Sequence, residues 1–151
     1  MEAGSIYHEI VLRHKRNPRN FGTLDGRTHT SQGINAMCGD RLHVEVDYRD
    51  AQIKALRFHG ESCAIAIASA SIMSEMVLGF DSRAVDRITA RFSQFVEGDF
   101  SLASSLGDLS AFAELRKHPS RRKCALLPWA TLRAALSGAV MTSTESAALP
   151  R

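Results

Sequence analysis

The stretch from Leu42 to Phe58 limits the fold more than any other part of the chain. Leu42-His43-Val44-Glu45-Val46-Asp47-Tyr48 alternates apolar and polar residues, the pattern of a strand with one face buried and one in water. Arg49-Asp50-Ala51-Gln52 follows as a turn, and Ile53-Lys54-Ala55-Leu56-Arg57-Phe58 as the returning strand of a hairpin. After Gly60 the character switches. Ala64 to Leu78 is rich in Ala, Ile, Ser and Met, with little charge before Glu75. Its length and small residues predict a helix buried on most of its circumference and ended by Gly79. Strands and helices in separate runs make the chain α+β.

The remaining elements are read the same way. Ser5 to Lys15 is predicted as an amphipathic helix capped by Ser5, with Ile6, Ile10 and His14 on one face and Tyr7 and Val11 beside them. Asn17-Pro18 to Gly22 breaks it, because proline denies the helical region to the residue before it. A weaker strand is expected over residues 29–34. Ser82 to Val96 gives a second amphipathic helix capped by Ser82, with Val85, Ile88, Phe92 and Phe95 as its apolar stripe. A loop from Gly98 to Gly107, a short helix from Leu109 to Lys117 and a last helix from Ser120 to Ser137 complete the pattern. Leu126, Leu127, Trp129, Leu132 and Leu136 are the expected buried residues of the last helix. With neither repeats nor a linker, residues 1–138 read as a single domain and 139–151 as a flexible tail.

A chain of 151 residues buries roughly two-thirds of the surface its unfolded form exposes, so folding needs no disulfide or metal. Only 7% of residues are aromatic, so Ala, Leu, Ile and Val must build the core. The net charge of +3 is too mild for a nucleic-acid footprint. The one basic cluster, Arg116, Lys117, His118, Arg121, Arg122 and Lys123, has no interleaved aromatic for base stacking. It reads as a docking edge for an acidic partner or as a plain solvated face. Met1-Glu2-Ala3-Gly4 carries no apolar signal region, and no apolar run approaches the ~18 residues of a membrane span. The expectation is a cytoplasmic protein without nucleic-acid or membrane partners.

Three cysteines in such a chain argue against a disulfide framework. Each falls at an element boundary, where side chains from distant sequence converge. Cys38-Gly39-Asp40 lies in the turn before the hairpin, Cys63 opens the buried helix, and Cys124 lies in the first turns of the last helix. Zinc takes four tetrahedral ligands from thiolate, imidazole and carboxylate. Gly39 lets Cys38 and Asp40 face a common point, and a helix N-terminus favours the Cys63 thiolate. Arg121 or Arg122 is a candidate to pair with Asp40 or to steady a leaving thiolate. The spacing, which matches no zinc-finger pattern, leaves a shared site and three inert buried thiols equally open. His8, His29, His43 and His59 read as solvent-facing or hydrogen-bonded, and His118 as a helix-end residue.

Three ordered motifs, at His14 to Gly22, Asn35 to Asp40 and Phe58 to Ser71, resemble the NifU-like iron–sulfur cluster assembly proteins. His14-Lys15-Arg16-Asn17-Pro18-Arg19-Asn20-Phe21-Gly22 is similar to that family's His…Pro-Arg-Asn-x-Gly segment. Asn35-Ala36-Met37-Cys38-Gly39-Asp40 resembles its Asn-Pro-x-Cys-Gly-Asp, and the run from Phe58 to Ser71 its Phe-x-Gly-x-Gly-Cys-x-Ile-Ser-x-Ala-Ser-x-Ser. The resemblance spans Ile6 to Leu136. It implies a small antiparallel sheet of about three strands covered by helices, of NifU/SufE type, and metal ligands at Cys38, Asp40, Cys63 and Cys124.

Chaperone-assisted scaffolds of the family carry Leu-Pro-Pro-Val-Lys and then His-Cys at the third cysteine. Here His118-Pro119-Ser120-Arg121-Arg122-Lys123-Cys124 lacks that motif and has Lys123 in place of the histidine. Residues 81–117 also look longer than in those scaffolds. Both features resemble the SufU branch. That branch implies bound zinc and a sulfurtransferase-like partner and activator of a SufS-like cysteine desulfurase, with Cys38 as sulfur acceptor and downstream Suf assembly proteins as further partners. The alternative the resemblance implies is a scaffold for iron or a transient [2Fe–2S] cluster; a structural zinc domain is a third. Three departures stand out: Ala36 for Pro, Ser62 for Gly, where Ser is strained if φ is positive, and Ala66 for Ser.

Overall fold

The computed structural model describes residues 7–144. The expected hairpin forms from β2 (Asp40–Arg49) and β3 (Gln52–Glu61), preceded by β1 (His29–Asn35). β2 pairs antiparallel with both neighbours, with Val44 opposite Ser31 on one side and Phe58 on the other. Asp50 and Ala51 both take positive φ, 56° and 54°, the twist that lets a tight turn match two right-twisted strands. Leu42, Val44, Val46, Ile53, Leu56 and Phe58 all face inward and are buried.

Two expectations about the sheet are corrected. It has four strands rather than three, in the order β3-β2-β1-β4, because Met141–Ser143 adds β4 parallel to β1. Of the tail expected over residues 139–151, residues 140–144 pair with β1: Gln32 donates to the Val140 carbonyl at 3.0 Å, and Thr144 to the Ile34 carbonyl at 3.1 Å; residues 145–151 lie outside the described residues. The physical reason is that β1 would otherwise be an edge with unpaired backbone groups. A three-residue strand carries too little periodicity to be read from sequence.

The helices cover one face of the sheet. α2 (Ala64–Met76) is buried nearly all round, and its Ala and Ser residues let neighbours approach closely. α4 (Pro119–Leu136) lies across β1 and β2. Gly33 is its seat, since a Cβ there would overlap Thr131 Oγ1. Trp129 of α4 is fully buried and donates through Nε1 to Ser69 Oγ of α2 at 3.2 Å; Ser69 in turn donates to the Ala125 carbonyl. α1 (Glu9–Arg16) packs on α2. The structure begins α1 at Glu9, capped by His8 Nδ1 accepting from Ile10 N–H at 3.1 Å; Ser5 and Ile6 lie outside the described residues.

α3 (Ser82–Glu97) buries Val85, Ile88, Phe92 and Phe95 as expected. Its cap is Asp81 rather than Ser82: Asp81 Oδ1 accepts the Ala84 N–H at 2.8 Å. The carboxylate meets the positive helix end from one residue earlier. The expected loop and short helix after α3 are two 3₁₀ segments, Phe100–Ser105 and Gly107–Lys117, the second kinked at Phe112. Among the described residues, no helix is long and apolar enough to cross a membrane.

Candidate metal centre

The Cys38 turn is built by local backbone bonds. Cys38 N–H donates to the Asn35 carbonyl at 3.3 Å and Gly39 N–H to the Ala36 carbonyl at 3.4 Å. Gly39 has φ +72°, a left-handed conformation that favours glycine, and the chain then drops directly into β2. Cys38 is left half-buried, while Asp40, the first residue of β2, is 1% exposed.

Asp40 links this turn to α2. Its Oδ1 accepts the backbone N–H of Cys63 at 2.8 Å, and its Oδ2 accepts from Asn35 Nδ2 at 3.4 Å. Cys63 is the N-cap of α2, where backbone N–H groups lack helical partners. Cys124 comes from the second turn of α4 and is fully buried. Its sulfur is the hub of the site. Cys63, Cys38 and Asp40 all lie within hydrogen-bonding reach of its thiol; it takes a bond from Asn35 Nδ2 at 3.6 Å and reaches the Ser120 carbonyl at 3.7 Å.

Ligand atoms of Cys38, Asp40 and Cys124 all lie within 4.8 Å of one another. Sulfurs bound tetrahedrally to zinc at ~2.3 Å stand roughly 3.8 Å apart. The trio is therefore within a small side-chain adjustment of a coordination sphere. Cys63, the fourth expected ligand, is not in that trio but borders it through its bond to Cys124.

The electrostatics separate the two inner thiols. The hydrogen bond from Cys124 holds the Cys63 thiol below its ordinary pKa, helped by the N–H groups of Ala66 and Ile65 and opposed by burial and Asp40. The same bond raises Cys124, and burial and the neighbouring Cys38 and Asp40 raise it further. Of the two candidate arginines, it is Arg121 that comes to the thiols. Burial works against its charge, but the attraction of Cys63 and Cys124 more than offsets this and raises its pKa.

Ser62 is not in positive φ, so the strain tied to that condition does not arise; its hydroxyl is buried without a partner. Where Ala66 lacks a hydroxyl, its backbone N–H still faces Cys63. Sequence reasoning assigned no part to Asn35, although it heads the matched motif. Its place at the head of that motif, five residues before Asp40, was the signal that could have found it.

Fold and site together define a small α+β protein that gathers thiols and a carboxylate where a hairpin meets two helix starts. The model of the NifU-like N-terminal domain matches residues 6–125, and the chain belongs to that family. It is 32% identical to the zinc-dependent sulfurtransferase SufU of Bacillus subtilis over 129 residues, 85% of this chain and 87% of that one. It is also 32% identical to the iron–sulfur cluster assembly scaffold protein IscU of Streptococcus pyogenes over 132 residues, 87% of this chain and 82% of that one. Among solved structures it superimposes, with a TM-score of 0.78 and 27% identity, on a Fervidobacterium islandicum protein described as an iron–sulfur cluster assembly scaffold for the SUF system. That match covers 89% of this chain and 99% of the other.

Proposed function

We propose that this chain is an iron–sulfur cluster assembly protein of SufU type, which holds zinc and accepts sulfur from a cysteine desulfurase in the cytoplasm. The observation that carries the reading is the convergence of Cys38, Asp40 and Cys124 within 4.8 Å, with Cys38 the accessible member. The donor set fits zinc, which accepts thiolate and carboxylate together. Cys38, Asp40 and Cys124 would hold the ion, with Cys63 closing the set after a small shift. Bound there, zinc keeps coordinated thiols deprotonated at neutral pH.

The rest of the chemistry belongs to the chain's own residues. Cys38 sits on a turn hinged at Gly39, so its sulfur can meet a partner while Asp40 and Cys124 stay buried. Its thiolate attacks the outer sulfur of the desulfurase persulfide. A bond forms from Cys38 Sγ to that sulfur, the partner's S–S bond breaks, and the electron pair leaves on the partner's thiolate. One persulfide replaces another, with no net oxidation. Arg121, beside the thiols, offsets negative charge as it redistributes. The Cys38 persulfide then passes to downstream Suf assembly proteins.

Cys38→Ala is expected to abolish stimulation of a SufS-like desulfurase, measured as alanine or sulfide release; full stimulation by this variant overturns the assignment. The similarity to IscU proteins over most of the chain supports a second reading, a scaffold on which the same residues carry a labile [2Fe–2S] cluster. Metal content of freshly purified protein separates the two. Near one zinc per chain supports sulfur relay; iron with inorganic sulfide, or a stable [2Fe–2S] spectrum after anaerobic reconstitution, supports the scaffold.

A further inference from the structure

We propose that Asn35 is a positioning residue for the thiol–carboxylate site, and that it is itself fixed by Thr144 at the end of β4. The inference rests on the reading of that site as a metal centre. Asn35 is completely buried. Its Nδ2 faces two site atoms at once, Asp40 Oδ2 at 3.4 Å and Cys124 Sγ at 3.6 Å. Its Oδ1 faces the other way, accepting the Thr144 hydroxyl proton at 3.4 Å. An amide has two N–H donors on one end and only acceptor capacity on the other. Turned over, it would set its carbonyl oxygen against a carboxylate and a sulfur, so the network admits one orientation.

In that orientation the N–H dipoles point between Asp40 and Cys124, offsetting the repulsion of two electron-rich groups brought into contact. They also fix the directions in which those groups present their remaining lone pairs. Outer contacts of this kind orient the atoms that bind a metal and tune its affinity.

The link to β4 is what local sequence could not supply. Thr144 is 109 residues from Asn35, and its backbone is held by the N–H donated to Ile34 O at 3.1 Å. The parallel strand thus clamps Thr144 behind the site. It lies beyond residue 125, where the match to the family's domain model ends. The C-terminal strand is therefore part of the support of the metal centre as well as a cover for the β1 edge.

The test uses the full-length chain with zinc and with cobalt(II) as a spectroscopic probe. Asn35→Asp keeps the size of the side chain but replaces both N–H donors with acceptors. Thr144→Val keeps the shape and removes the hydroxyl, and Thr144→Ser restores it. Zinc affinity by chelator competition is expected to fall by about 10- to 100-fold in Asn35→Asp. Thr144→Val is expected to lose several-fold, and Thr144→Ser to return to the wild-type value. The thiolate-to-cobalt charge-transfer band should shift in the first two and not in the third.

Wild-type affinity and an unmoved cobalt band in both Asn35→Asp and Thr144→Val overturn the proposal, even if their urea midpoints fall, because that outcome marks a purely structural role. Should Asn35→Asp fail to fold, the pair Thr144→Val and Thr144→Ser decides the question by the same readouts. Failure of the wild-type chain itself to bind either ion overturns the metal-centre reading, and this inference with it.

Discussion

Helix α2 takes part in two buried polar clusters that differ in composition and in how their donors and acceptors are matched. Along its length, Ser71 Oγ takes the Arg19 N–H at 2.8 Å and pairs with His14 Nδ1 at 2.7 Å. Ser74 Oγ takes a proton from Asn20 Nδ2 at 3.0 Å and gives its own to the Ser71 carbonyl at 2.7 Å. Each of these groups finds a partner of opposite character, and the cluster fastens α1 and the residue 17–22 turn to the core. At the N-terminus of the same helix, Cys38, Asp40, Cys63 and Cys124 face chiefly one another. Three thiols and a carboxylate crowd together there, answered from outside the set by Asn35 Nδ2, the Ala66 and Ile65 N–H groups and Arg121. A satisfied cluster is complete as it stands, because buried polar groups are stable once paired. Thiols and a carboxylate so converged offer a set of ligand atoms that a cation could take up.

The comparison breaks most readily at Cys124, the sulfur touched by every other member of the site. Cys124→Ser should weaken zinc binding by more than the ~100-fold typical of lost outer-shell contacts, as read by chelator competition. Near wild-type affinity there would remove the distinction between the clusters. Next in size is linkage. Free zinc at about 1,000 times its Kd should stabilise the fold by about 4 kcal/mol. Thermal or urea unfolding of wild type and Ser71→Ala should show this gain, and Cys124→Ser should not.

Smaller effects come from the paired cluster. Ser71→Ala strands the Arg19 N–H and His14 Nδ1, at a cost of about 1–3 kcal/mol, with zinc stoichiometry unchanged by metal analysis. Ser74→Ala should cost less, about 1 kcal/mol, because Arg19 and Asn20 lie where water can replace the lost hydroxyl. If either serine variant lost its zinc while still folded, the two clusters would be one unit and the contrast would fail.

Much of this molecule was legible from order along the chain. The alternation through Leu42–Phe58 fixed the hairpin and its buried face, since a strand's side chains have period two. The small-residue run after Cys63 fixed a helix buried all round. The motifs from His14 to Gly22, around Cys38 and around Cys63 carried the family resemblance, which implied the candidate ligands, Cys124 among them. These features repeat or abut within a few residues, so local periodicity and spacing carry them.

What the chain order could not carry, the tertiary structure decided. It showed that Cys38, Asp40 and Cys124 converge while Cys63 stands one contact outside, a matter of side-chain direction at three separate element ends. It turned residues 141–143 into a fourth strand and set Thr144 against Asn35. It also gave the cap of α3 to Asp81 and brought Arg121 to the thiols. Contacts across such separations leave no mark on periodicity, because they exist only once the helices have packed on the sheet.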